Sequence, residues 1–171
     1  MAAKTVNTYP LQLVTYSTTL PTDEVIARLD VEVAKSKCPG KEFDGYNSKD
    51  ELEAVLNAAT GPSGLMFVLH RVQPRQMAPY YQTTPKPPTK TLFYITGNPI
   101  IAETMIRHDI RASYNVPPRI LIIEKESGGT DVVFHLPSSV IYLNKEDMQM
   151  KAAAEALDRI MEGMAERITA V

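Results

Sequence analysis

Apolar residues recur along this chain with two alternating periods, and the switches between them mark the elements. TYPLQLVTYSTTL, residues 8 to 20, places β-branched and aromatic residues in loose alternation and stops at Pro21, which suits a first strand. Pro21-Thr-Asp-Glu then opens an amphipathic helix, with acids near its positive end and Val25, Ile26, Leu29 and Val33 at helical spacing as far as Lys37. Cys38-Pro39-Gly40 ends it. Ser48 and Glu51 form a capping box for a second helix to about residue 60, striped by Leu52, Val55 and Leu56. LMFVLHRV, residues 65 to 72, is apolar on both faces and is expected to be a central strand.

QPRQMAPYYQTTPKPPTK, residues 73 to 90, has five prolines in eighteen residues and no period, so it reads as a long loop. TLFYIT, residues 91 to 96, is the next strand, followed by a Gly97-Asn98-Pro99 turn and a helix to about Asp109. RILIIEKE, residues 119 to 126, and TDVVFHL, residues 130 to 136, flank a glycine pair. A two-residue loop at Gly128-Gly129 predicts Glu124 opposite Val133 and Ile122 opposite His135, all on one face. Asn144 is expected to cap a final helix to about Ile168 that buries Met150, Ala153, Leu157, Ile160, Met161, Met164 and Ile168. Hairpins join the later strands, which predicts an α+β fold: a mainly antiparallel sheet of about five strands, helices on one side, in a single domain spanning residues 1 to 171.

Composition narrows the function less than the fold. The chain has 171 residues, 18 Lys and Arg against 20 Asp and Glu, and no basic stretch interleaved with aromatics, so nucleic acid is a poor partner. The lone Cys38, the absence of an apolar leader in MAAKTVNTYP and the shortness of every apolar run predict a cytoplasmic protein with no membrane partner. The three histidines lack H-x-x-x-H spacing, and neither metal nor cofactor is predicted.

The strand VLHRV with His70, the strand ending Thr96-Gly97-Asn98-Pro99, the helix reaching Asp109, Val116-Pro117-Pro118 before RILIIE, and Phe134 with Pro137 together resemble the uncharacterised family named domain of unknown function 302. The resemblance spans roughly residues 10 to 168. It implies a curved antiparallel sheet similar to the TATA-box-binding-protein half-repeat, crossed by a long C-terminal helix, and a homodimer; it does not imply DNA binding. The chain departs from members in having Leu69 where they usually have Asp before the histidine, Val116 where they usually have Leu, the long segment 73 to 90, and an added helix at 48 to 60. The family has no agreed catalytic residues to transfer.

The residues themselves offer His70, and His135 with Glu124, as candidate catalytic groups for proton transfer. In the predicted register the last two lie diagonally, about 7 Å apart at Cα, close enough for a carboxylate to fix an imidazole tautomer. Tyr80, Tyr81 and Met77, with Tyr94, are candidate ligand-binding residues, since exposed aromatics on a loop suit covering an apolar ligand. His108 and Asp109 are expected to cap a helix C-terminus. Cys38 has no base placed beside it. Gly97-Asn98-Pro99 stands where nucleotide-binding proteins seat a phosphate, but its single glycine and Pro99 favour a plain helix start with Asn98 as N-cap. The reading is a domain that binds a small, largely apolar molecule between sheet and helices; a small cofactor-free enzyme and a protein-interaction module are the rivals.

Overall fold

The computed structural model describes residues 2–6, 8–37, 48–73, 90–142 and 146–171. Five strands form one antiparallel sheet in the order β1-β5-β4-β3-β2: β1 Leu13–Thr18, β2 Met66–Gln73, β3 Thr91–Gly97, β4 Arg119–Glu124 and β5 Thr130–His135. Among the described residues the helices are α1 Thr22–Glu32, α2 Lys49–Ala59, α3 Pro99–Ile106, α4 Pro137–Ile141 and α5 Met148–Thr169, with short 3₁₀ turns at Lys35–Lys37 and Ile110–Tyr114. The class is α+β, as the hairpin connections require.

Period-two alternation separates the two faces of the sheet. Leu92, Tyr94 and Thr96 of β3, Ile120 and Ile122 of β4, and Thr130, Val132 and Phe134 of β5 are buried, and the apolar ones among them form one cluster with Val25 and Leu29 from α1, Val33 at its C-cap, and Met150, Leu157, Met161, Met164 and Ile168 from α5. Each fully buried aliphatic side chain contributes about 1.5–3 kcal/mol relative to exposure, so this layer is the main source of stability. The alternate residues Phe93, Ile95, Leu121, Ile123 and Val133 are only half-buried, and Leu13 is exposed. Bidentate contact of Arg167 with Glu32, at 2.8 Å from Nε and 2.8 Å from Nη2, clasps α5 to α1.

Several expectations need correction. β2 is an edge strand, not a central one. Its double-sided apolarity has another source: Leu65, just before it, enters the main core, Met66 joins Leu56 and Ala59 of α2, and a bulge between Phe67 and Leu69 then leaves Val68 and Leu69 exposed. α1 stops at Glu32 because Ala34 takes a left-handed φ of 47°, which turns the chain so that Ser63 Oγ and Phe67 N–H donate to the last carbonyls, Glu32 O at 2.6 Å and Val33 O at 2.8 Å. The final helix is capped by Asp147, whose Oδ1 accepts from Gln149 and Met150; Asn144 lies outside the described residues.

The β4–β5 hairpin also differs. Lys125 N–H donates to Gly129 O and Gly128 N–H to Lys125 O, each at 3.0 Å, so the loop has three residues and ends on glycines at φ 89° and 83°. Glu124 therefore opposes Thr130 and Ile122 opposes Val132. The shift is odd, and an odd shift moves every side chain of one strand to the other face.

Candidate functional site

Where α1 ends beside β2 and β3, the packing changes from aliphatic to aromatic and polar. Tyr94 is fully buried on the core face of β3, and its hydroxyl donates to Asp30 Oδ1, in the last turn of α1, at 2.9 Å. The left-handed turn at Ala34 brings Lys35 back over this pair: its Nζ lies 2.8 Å from Asp30 Oδ2 and 3.4 Å from the Tyr94 hydroxyl, and 5.4–5.5 Å from the ring centres of Tyr94 and Phe67. A cation over two aromatic faces gains from both ring quadrupoles. Phe67 packs edge-on to Tyr94, and His70, exposed, stacks on it with ring centres 5.6 Å apart and planes 24° from parallel.

Burial, together with the hydrogen bond to Asp30 and its charge, pushes the Tyr94 phenol well above its ordinary value, so it stays a neutral donor at any physiological pH. One face of the His70 ring rests on Tyr94, and the imidazole has no hydrogen-bond partner among the described residues. Outside the cluster a groove of about 770 Å³ opens, walled by Val31, Ala34 and Pro62 and edged by Asp30, Lys35 and Lys37. Ala34, nine-tenths buried in that wall, is the one non-glycine at positive φ among the described residues. Strained backbone of this kind gathers at functional sites.

Of the candidate residues, His70 and Tyr94 come together on the core face of neighbouring strands, directly opposite in register. His135 and Glu124 do not pair. His135 shares the half-buried face with Val133 and Leu13, whereas Glu124 falls on the other side and accepts from Lys90 N–H at 3.2 Å. The two-residue loop assumed for the hairpin is what misplaced them. His108 lies beyond the end of α3, and its Nδ1 sits 2.8 Å from Asp147 Oδ2, so it links α3 to the cap of α5 instead of closing α3 itself. Asp109 caps the following 3₁₀ turn and grips Arg111. Met77, Tyr80, Tyr81 and Cys38 lie outside the described residues.

Asp30, Lys35 and Phe67 were not singled out by the sequence. Asp30 and Lys35 are five apart, a spacing that no helix face favours, and only the unsignalled turn at Ala34 joins them. Asn98, by contrast, stands where its side chain type predicts: Oδ1 accepts from Ile100 N–H at 2.9 Å and Nδ2 donates to Gly64 O at 2.9 Å. Gly97 has a steric reason of its own, since a Cβ there would lie 2.8 Å from Pro117 Cβ. The turn reads as a packing device more than a phosphate seat, since Asn98 takes the Ile100 amide through Oδ1 and the Ala102 amide through its carbonyl, and Pro99 has no amide to offer. Among the described residues no three His, Cys, Asp or Glu side chains gather as a metal would need, and no helix is long and apolar enough to cross a membrane.

No curated protein matches the chain. A crystal structure of an uncharacterized conserved protein DUF302 from Bacillus stearothermophilus superposes with a TM-score of 0.62 over 91% of this chain and 97% of that one, at 12% identity. That likeness shows a shared fold. The family model described as "Domain of unknown function DUF302" matches residues 46–167, from just before α2 to near the end of α5 and including the Gly97-Asn98-Pro99 turn, so the chain belongs to that family.

Proposed function

We propose that this protein binds a small, largely apolar molecule in the groove beside the C-terminal end of α1, with Asp30, Lys35 and Lys37 forming its polar edge and Tyr94 buried behind Lys35 and Asp30. One observation carries the reading: the groove opens beside a buried phenol, a carboxylate and an ammonium that are bonded to one another, in a wall whose backbone is strained at Ala34. Pockets for small ligands combine such apolar walls with a few convergent polar groups. The interior between sheet and helices is filled by side chains of 0–3% exposure such as Leu29, Tyr94, Met161 and Phe134, so the ligand's place is at the edge of that layer, not within it. Native mass spectrometry of protein purified from its own host tests this. A bound mass released on denaturation supports the reading, and a bare chain from several growth conditions counts against it.

A second reading, a cofactor-free enzyme, is favoured by the imidazole of His70, which is exposed and held against the rings of Tyr94 and Phe67. Once a ligand is in hand, His70→Gln separates the two, because only an enzyme loses turnover while keeping affinity. The homodimer implied by family resemblance has a suitable surface in the half-buried sheet face of Phe93, Ile95, Leu121, Ile123 and Val133. A contiguous apolar face of this kind is a common interface core.

A further inference from the structure

The charge around the groove carries the reading one step further, to the class of ligand, and this step rests on the groove being a binding site. Among the residues that line it, Asp30 supplies one carboxylate, whereas Lys35 and Lys37 supply two ammonium groups. Asp30 is already committed, to Lys35 through one oxygen and to the Tyr94 hydroxyl through the other.

An ammonium has three N–H donors. Lys35 spends one on Asp30 and one on the Tyr94 oxygen, which leaves a third without a partner among the described residues. Lys37, two residues on in the same 3₁₀ turn, donates its backbone N–H to Ala34 O at 2.8 Å, while its ammonium has neither an ion pair nor a hydrogen bond among the described residues. The Ser36 hydroxyl lines the same groove. The spare hydrogen-bonding capacity is therefore cationic and donating, next to a wall of Val31, Ala34 and Pro62 that suits an apolar body. An alkylammonium would set like charge against the lysines, and a neutral hydroxyl would accept from one donor without opposite charge; a carboxylate offers two charged acceptor oxygens to the two ammonium groups.

We infer that the groove selects an aromatic or aliphatic monocarboxylate, its carboxylate held by Lys35 and Lys37 and its apolar body laid along Val31, Ala34 and Pro62. Benzoate, benzyl alcohol and benzylammonium share one ring and differ in charge, so they isolate the polar term. Titrated into the full-length ¹⁵N-labelled chain at low salt, benzoate is expected to shift the amides of Ala34, Lys35, Ser36, Lys37, Thr60 and Gly61 and to bind at least about fivefold tighter than benzyl alcohol, with benzylammonium weakest. Lys37→Gln, at a side chain with no ion pair or hydrogen bond among the described residues, is expected to weaken benzoate about threefold and leave benzyl alcohol unchanged, and added salt to act in the same direction. Equal binding of benzoate and benzyl alcohol, or a Lys37→Gln variant with unaltered preference, overturns the carboxylate assignment while leaving the groove as a site. If none of the three probes moves those amides, both the assignment and the groove reading fall.

Discussion

Tyr94 is the residue on which the cluster beside α1 is built. Its ring is the floor on which Phe67, His70 and Lys35 rest, and its hydroxyl satisfies Asp30 in a place where an unpaired carboxylate oxygen is costly. Tyr94→Phe keeps the ring and removes the hydroxyl; the loss expected in denaturant unfolding is about 1 kcal/mol, with the main core unchanged. Gly97→Ala is expected to cost about 1–3 kcal/mol, because the added methyl meets Pro117 across an already close-packed contact. A melting temperature equal to that of the unaltered chain would show that Pro117 gives way freely. Residue-level chemistry was legible where a side chain type dictates a local role, as at Asn98 and Ser48, each of which accepts from the first turn of its helix. It was illegible at Lys35, whose partners are set by one backbone angle at Ala34 that an alanine does not announce.

At the scale of elements, helix ends and their ties govern what the fold tolerates. Asn98→Ala removes the cap of α3 and its bond to Gly64 O together, and a destabilisation of about 1 kcal/mol is expected in chemical denaturation. Asp147 caps α5, and the backbone amide of Met150, helped by His108 and Gln149, holds its carboxyl below the ordinary value of 3.8. A carboxylate with a lowered folded value contributes stability that is present above the unfolded value and lost as pH falls through the folded one. Asp158 has the opposite sign: burial raises its carboxyl despite the Ser138 N–H, at 2.7 Å, that it accepts, so its protonation favours the folded chain as pH falls. Melting temperatures followed from about pH 6 down to about pH 3 should therefore fall less steeply for Asp147→Asn, which keeps a capping oxygen but does not titrate. A slope identical to that of the unaltered chain contradicts the assigned role. The element order was readable because hairpin and helix periods differ so clearly. The β4–β5 register was not, since a glycine pair serves a two-residue loop and a three-residue loop ending in a bulge equally well. Only the buried set Ile120, Ile122, Val132 and Phe134 decides between them.

For the whole molecule, the sheet divides the surface into two candidate working regions. The covered face ends at the groove beside α1; the other face has an apolar centre at Phe93, Leu121 and Val133, bordered by Arg71, Arg119 and Asp131, and is the surface proposed for a second copy. Leu121→Arg, in the middle of that face, is expected to turn a dimer into a monomer in sedimentation velocity without affecting the groove. A dimer that survives it places the interface elsewhere. The family resemblance was legible in short motifs along the chain, but family membership carries a fold and no activity, so the site had to come from geometry.

The groove beside α1 is the proposed meeting place of this protein and a small ligand. Amide chemical-shift mapping with the molecule recovered from host-purified protein tests it most directly. The expected result is saturable shifts clustered at Ala34, Lys35, Ser36, Lys37, Thr60 and Gly61 and extending to Phe67, His70 and Tyr94. Shifts confined to Phe93, Leu121, Ile123 and Val133 on the opposite face, or none at saturating ligand, would contradict it.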